Sequence, residues 1–130
     1  MTSTETNDDT AALAERVFAA IEAGDLDAVS RMWADDVEVW HNDDGVVQTK
    51  GENLKVLGWI VRNTASRAYL DVVRHVHADG FAQRHVLRLE FDDGRTADIP
   101  AAIFVGVRAG QVVRVDEYLD SAHVATAFAR

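Results

Sequence analysis

The apolar residues of this 130-residue chain pass twice from a helical period to that of a strand, and each passage restricts the fold more than any single motif does. Leu13, Val17 and Ile21 recur at i, i+4 and i+8 with Ala14 and Phe18 beside them, the stripe of an amphipathic helix. The spacing predicts a helix over residues 10–23, capped by Asp9 or Thr10 and ended by Gly24. Asp25 is placed to cap a second helix carrying Leu26, Val29, Met32 and Trp33. After Asp35-Asp36 the period falls to two: residues 37–41 alternate as a strand and run into the turn-forming Asn42-Asp43-Asp44-Gly45 before returning over 46–49. Gly51 then precedes a third helix, residues 52–63, in which Leu54, Leu57, Gly58 and Val61 form one stripe and Val56 and Ile60 another. Trp33 and Trp59 are both expected on helices facing a sheet.

The second change is lasting. Residues 69–77, 81–91, 96–107 and 111–119 read as strands, separated by Ala78-Asp79-Gly80, Asp92-Asp93-Gly94-Arg95 and Arg108-Ala109-Gly110. Asp120-Ser121 then offers a cap for a short terminal helix bearing Val124 and Phe128. Three helices followed by a strongly curved antiparallel sheet is an α+β layout, a cystatin-like α+β barrel whose layers enclose a cone-shaped pocket. Residues 10–130 are expected to be one domain, and residues 1–9, with no apolar side chain after Met1, a loose tail.

Composition narrows the partners. Twenty-two acids against thirteen bases give a formal charge of -9, a field that repels phosphate backbones and anionic headgroups, so neither nucleic acid nor a membrane is expected. With no cysteine there is no disulfide, no thiol nucleophile and no cysteine-ligated zinc. Together with the polar opening residues, this suggests a cytoplasmic protein. Gly-x-Ser-x-Gly and phosphate-cradling glycine motifs are missing.

Strand parity nominates the pocket wall. In residues 81–91 the odd positions are Phe81, Gln83, His85, Leu87, Leu89 and Phe91, against Arg84, Arg88 and Glu90, so odd faces inward. Folding back around residues 92–95 so that paired numbers sum to about 187 puts Asp98, Pro100, Ala102 and Phe104 on the same face. The following turn adds Val113, Val115, Glu117 and Leu119, with His85, Ala102 and Glu117 in one row. Burying Val37 and Val39 turns His41 inward and leaves Trp40 outside, near Tyr118, which suggests a homodimer through the outer face of the sheet.

Two segments carry a family resemblance. Residues 20–27, Ala-Ile-Glu-Ala-Gly-Asp-Leu-Asp, followed by Trp33-Ala34-Asp35-Asp36-Val37-Glu38-Val39, resemble the paired-helix opening of the nuclear transport factor 2-like superfamily, in its ketosteroid isomerase and SnoaL-like branches. Asp116-Glu117-Tyr118-Leu119-Asp120 resembles the final strand of its limonene epoxide hydrolases and polyketide cyclases. The resemblance implies that His41 occupies the isomerase general-base position, while the oxyanion-hole positions fall on Val17 and about Ala102, neither a donor. The epoxide hydrolases' last-strand aspartate corresponds to Glu117, and the aspartate of their Arg-x-Asp pair to Val86 or Arg88. SnoaL-type cyclases, which use a last-strand carboxylate, a histidine and an apolar cavity, are the nearer match.

The chemistry these residues allow is proton transfer. A histidine starts near neutral pH, where a general base works best. His41 is therefore read as the base, Glu117 as its partner or the acid, and His85 with Gln83 as donors to a ligand carbonyl. Val17, Trp33, Val39, Trp59, Ala102, Phe104 and Val115 are the expected substrate contacts. The substrate is expected to be a small apolar molecule bearing a carbonyl or hydroxyl, converted by isomerisation, dehydration or cyclisation without a cofactor. A non-catalytic ligand-binding or dimerising module is the alternative. His75-x-His77 with Asp79 is the one spacing that suggests a metal, but its third ligand is unsettled, so no metal is expected.

Overall fold

A computed structural model describes residues 6–128. The elements run α1 (Asn7–Ala23), α2 (Leu26–Met32), β1 (Trp33–His41), β2 (Val47–Gln48), α3 (Lys50–Asn63), β3 (Ser66–His77), β4 (Gly80–Glu90), β5 (Thr96–Arg108), β6 (Gln111–Leu119) and α4 (Ser121–Phe128). Local capping chemistry sets the helix starts. Thr6 Oγ1 accepts from Asp9 N at 3.0 Å and Asp9 Oδ2 from Thr6 N at 3.3 Å, a reciprocal capping box. It opens α1 three residues earlier than the apolar stripe alone predicts. Thus residues 7–9 of the expected tail are helical, and residues 1–5 lie outside the described residues. Thr49 and Glu52 form the same box for α3, which places Gly51 inside the first turn. Trp33 is not helical: it caps α2 in extended conformation and is the first residue of β1.

The strands form one six-stranded sheet in the order β2-β1-β6-β5-β4-β3. It is not wholly antiparallel as expected, because β1 runs parallel to β6. Bulges bend the ladder. Between Leu70 and Val73 the β3 register shifts against β4, with Asp71 at φ 54°, and a second shift falls between Gly106 and Val107. Extra residues of this kind twist and curve a sheet.

The β4–β5 register corrects the expected parity. Phe91 N donates to Arg95 O at 2.8 Å, so the hairpin closes on residues whose numbers sum to 186: His85 faces Ala101, Gln83 faces Ile103 and Phe81 faces Val105. A one-residue slip exchanges the faces. Ile99, Ile103, Val105 and Val107 are buried, while Phe104 is 51% exposed and Ala102 lies on the outer face with Pro100 and Tyr118. Glu117 consequently sits opposite Ile103 rather than Ala102, and the second bulge makes Val112, not Val113, the buried residue at the start of β6.

Two apolar clusters result. One joins α1 and α2 to the sheet through Leu13, Val17, Phe18, Val29, Trp33, Val39, Phe81 and Val115. The other gathers Leu89, Phe91, Ile99 and Ala127, with Ile60, Leu87, Leu119, Val124 and Phe128 against them. Gly80, at φ 149°, opens β4 where an added Cβ would run into the Val105 carbonyl oxygen, a backbone clash that no rotamer relieves. Gly80→Ala is expected to lower stability by about 3 kcal/mol, read as a fall in the urea midpoint at unchanged slope.

Candidate functional site

A cavity of about 320 Å³ lies between the sheet and helices α3 and α4. Its walls come from every layer. Val56, Trp59 and Ile60 of α3 and Val124 and Phe128 of α4 form one side; Leu87 and Leu89 of β4, Ile99 and Ala101 of β5 and Leu119 of β6 form the other. The Trp59 and Phe128 rings meet edge to face at 5.1 Å and join the two helices beside the opening. His41, Asp43, Asp44 and Gln48 make a polar rim, and His85 and Glu117 reach in from the sheet.

The His41–Glu117 pair follows from strand register. The parallel β1–β6 ladder sets His41 beside Glu117, and the imidazole Nε2 lies 3.2 Å from the Glu117 Oε1, with the side chains 20% and 22% exposed. Asn42 fastens this end of the ladder: its backbone N donates to Glu117 O at 3.1 Å and its Oδ1 accepts from Leu119 N at 2.9 Å. The hydrogen bond to Glu117 is the main reason His41 holds its proton more tightly than a free imidazole. The charges of Glu117, Asp43 and Asp44 act the same way, against the opposing effect of burial.

His85 is a different kind of histidine. It is 4% exposed, with the Tyr69 ring edge-on at 4.8 Å and Phe18 at 5.9 Å. Burial lowers its pKa, Arg74 adds to the effect and Glu117 opposes it. Burial likewise pushes the Tyr69 phenol well up, helped by the Glu117 and Glu22 charges. Gln83 is not presented to the cavity: its Oε1 accepts from Arg74 Nε at 2.7 Å and its Nε2 lies 3.0 Å from His85 Nδ1.

Of the expected contacts, His41, Glu117, His85 and Trp59 line the cavity. Val17, Trp33, Val39 and Val115 are buried in the first apolar cluster instead, because α1 and α2 seat directly on that half of the sheet. Ala102 and Phe104 face outward through the register slip, and Ala101 takes the place opposite His85. Ile60, Ala101, Val124 and Phe128 line the cavity without having been expected there, and Asn42 fastens the ladder beside it. The β-branched residues at odd positions of β5 carried the signal for Ala101. No group of three or more His, Cys, Asp or Glu among the described residues is arranged to hold a metal ion, and His77 Nδ1 accepts from Asp79 N.

Residues 14–115 match the SnoaL-like domain family. The chain belongs to that family. Its fold is also shared by solved structures of low sequence identity. A proposed polyketide cyclase from Xanthomonas campestris pv. campestris is 21% identical, with 94% of this chain and 98% of that one covered at a TM-score of 0.80. Another, from Pseudomonas putida KT2440, is 24% identical over 91% and 96% at 0.77. A protein with a ketosteroid isomerase-like fold from Catenulispora acidiphila DSM 44928, solved with trimethylamine, is 12% identical over 88% and 90% at 0.75. These likenesses establish the nuclear transport factor 2-like fold of this SnoaL-like chain. No curated protein matches it, and no helix among the described residues is long and apolar enough to cross a membrane.

The attraction between His41 and Glu117 has a readable sign. A raised histidine pKa adds stability below the unfolded value of ~6.5, and that stability is lost as pH climbs through the higher folded value. In an NMR titration the His41 midpoint is expected above ~6.5 and should drop toward it in Glu117→Gln; an unmoved midpoint would mean that the carboxylate does not hold the proton.

Proposed function

We propose that this SnoaL-like domain catalyses proton transfer on a small, mostly apolar molecule bearing a carbonyl or hydroxyl group. The observation that carries the reading is the His41–Glu117 pair at 3.2 Å, one-fifth exposed, at the polar end of an otherwise apolar cavity. An imidazole is the side chain whose ordinary titration suits a general base, and this one lines the cavity that a ligand would occupy. Glu117 orients His41 and stabilises the imidazolium formed when it takes a proton. The base form appears only above the raised pKa, so kcat/KM rises with pH through that value. His85 lies on the sheet wall, where a hydrogen bond to the substrate oxygen would stabilise charge developing on an enolate. Isomerisation, dehydration and aldol-type cyclisation share this step, each without a cofactor.

The direct test is exchange of α-protons for deuterium in D₂O, read by mass spectrometry on a panel of small apolar ketones. Exchange above the buffer rate is expected, and His41→Ala or Glu117→Gln should slow it about 10²–10⁴-fold while leaving the folded state intact. Binding without exchange across the panel would favour the ligand-carrier alternative.

The outer face supports a second part of the reading, a homodimer. Trp40 and Tyr118 meet at 5.2 Å, Phe104 and Tyr118 at 6.1 Å, and Phe104 and Tyr118 are each about half exposed. The flanking Arg88–Asp98 and Arg114–Asp116 pairs give the face both signs of charge, so a second copy can meet it without net repulsion. Light scattering should report twice the chain mass, falling to one chain in Phe104→Asp.

A further inference from the structure

One chain of polar side chains leads to His85 from residues that the proton transfer itself does not use. It runs from the surface to His85. Glu15 Oε1 of α1 accepts from Arg74 Nη1 of β3 at 2.8 Å; Arg74 Nε donates to Gln83 Oε1 of β4 at 2.7 Å; and Gln83 Nε2 meets His85 Nδ1 at 3.0 Å. The Arg74 guanidinium carbon lies 5.7 Å from the centroids of both the Phe18 and Phe81 rings. Its side chain is 13% exposed, so the aromatic contacts and the Glu15 carboxylate hold the fork in place.

Donor and acceptor rules fix the sense of the chain. A guanidinium can only donate, so the Gln83 atom facing Arg74 must be the oxygen. Hence the atom facing His85 is the amide nitrogen, which also can only donate, and Nδ1 must accept through its lone pair. A histidine accepting at Nδ1 is neutral and carries its one ring proton at Nε2. Among the described residues Nε2 makes no hydrogen bond, and no buried polar side-chain atom is left without a partner. It follows that Nε2 is not sealed off, and His85 lines both the cavity and the groove beside Pro100 and Tyr118.

We propose that Arg74 is a positioning residue which, through Gln83, locks His85 in the neutral Nε2–H tautomer and so makes it a hydrogen-bond donor to the substrate oxygen. The inference deepens the proton-transfer reading and rests on it for the identity of the acceptor. It also restricts the substrate at this subsite: the oxygen must be an acceptor, as in a ketone, an ester or an enolate. The tautomer has a clear physical rationale. An imidazolium at His85 would have to lose the Gln83 contact and sit charged among Phe18, Tyr69 and the Arg74 cation, with the Glu117 carboxylate as the opposing influence. The titratable and charged groups around it are Tyr69 and Arg74 of β3, Glu117 of β6 and, behind them, Glu15 and Glu22 of α1.

Long-range ¹H–¹⁵N correlation on the full chain, with His85 assigned from the signal lost in His85→Gln, reads the protonation of each ring nitrogen with no substrate present. Wild type is expected to show an unprotonated Nδ1 and a protonated Nε2, persisting below the pH at which a free imidazole titrates. Gln83→Glu replaces the donor at Nδ1 with an acceptor, so Nδ1 should gain a proton and the His85 midpoint should rise by about one unit or more. Arg74→Lys keeps the charge but cannot hold Glu15 and Gln83 together through one planar fork, so the tautomers should mix. An Nδ1–H signal in wild type would overturn the inference, as would a Gln83→Glu spectrum unchanged from wild type. Either NMR result stands whether or not deuterium exchange locates the base at His41, so the two readings fail separately.

Discussion

The site depends on one strand pairing, the parallel ladder between β1 and β6. It is the only connection of that sense in the described sheet, and it places the end of an early strand beside the end of a late one. Without it His41 and Glu117 would belong to opposite edges of the molecule. Parallel pairing of this kind carries a long loop-closure entropy, offset here by burial of Val37, Val39, Val112 and Val115 and by the two hydrogen bonds at Asn42. The same ladder leaves a bulge between Trp33 and Glu38. Lys50 fills the polar need that this creates, donating to the Trp33 carbonyl at 2.9 Å and to Asp35 at 3.3 Å.

Much of the architecture was legible in the sequence because local chemistry and global fold agree there. The helical stripe of Leu13, Val17 and Ile21, the turn at Gly94 and the cap at Asp120 each act over a few residues, and each is found where the sequence placed it. Apart from the start of α1 and the extended Trp33, the differences concern long-range register. A five-residue turn admits two closures differing by one residue, and the wrong one moved Ala102 and Phe104 to the inner face. The alternation of Ile99, Ile103, Val105 and Val107 against Asp98, Pro100 and Phe104 would have decided it. Sheet order was harder still. Nothing local in residues 37–41 says which later strand they will join, or that they will join it in parallel.

For the site, residue type was legible and the division of labour was not. His41 and Glu117 were found by parity, since a histidine and a carboxylate on inward positions of otherwise apolar strands stand out against their neighbours. His85 and Gln83 were read as equal donors, whereas the structure makes Gln83 an intermediary because Arg74, from a strand edge that reads as ordinary surface, takes its oxygen. Only three-dimensional contact shows that Arg74 lies on Phe18 and Phe81. The two histidines are consequently pushed in opposite directions. One sits by carboxylates at the rim, the other among rings and a cation on the wall, the kind of divergence that separates basic from donating roles within one pocket.

The cavity draws its ionisable groups from strands and strand ends and its bulky apolar surface on the other side from α3 and α4. Polar groups and apolar fit are thus written on different pieces of backbone. A change at Val56, Trp59, Val124 or Phe128 resizes the chamber without touching the hydrogen-bonded ladder that aims the imidazole and the carboxylate. Such a plan lets the chamber change its shape while the polar geometry beside it stays the same.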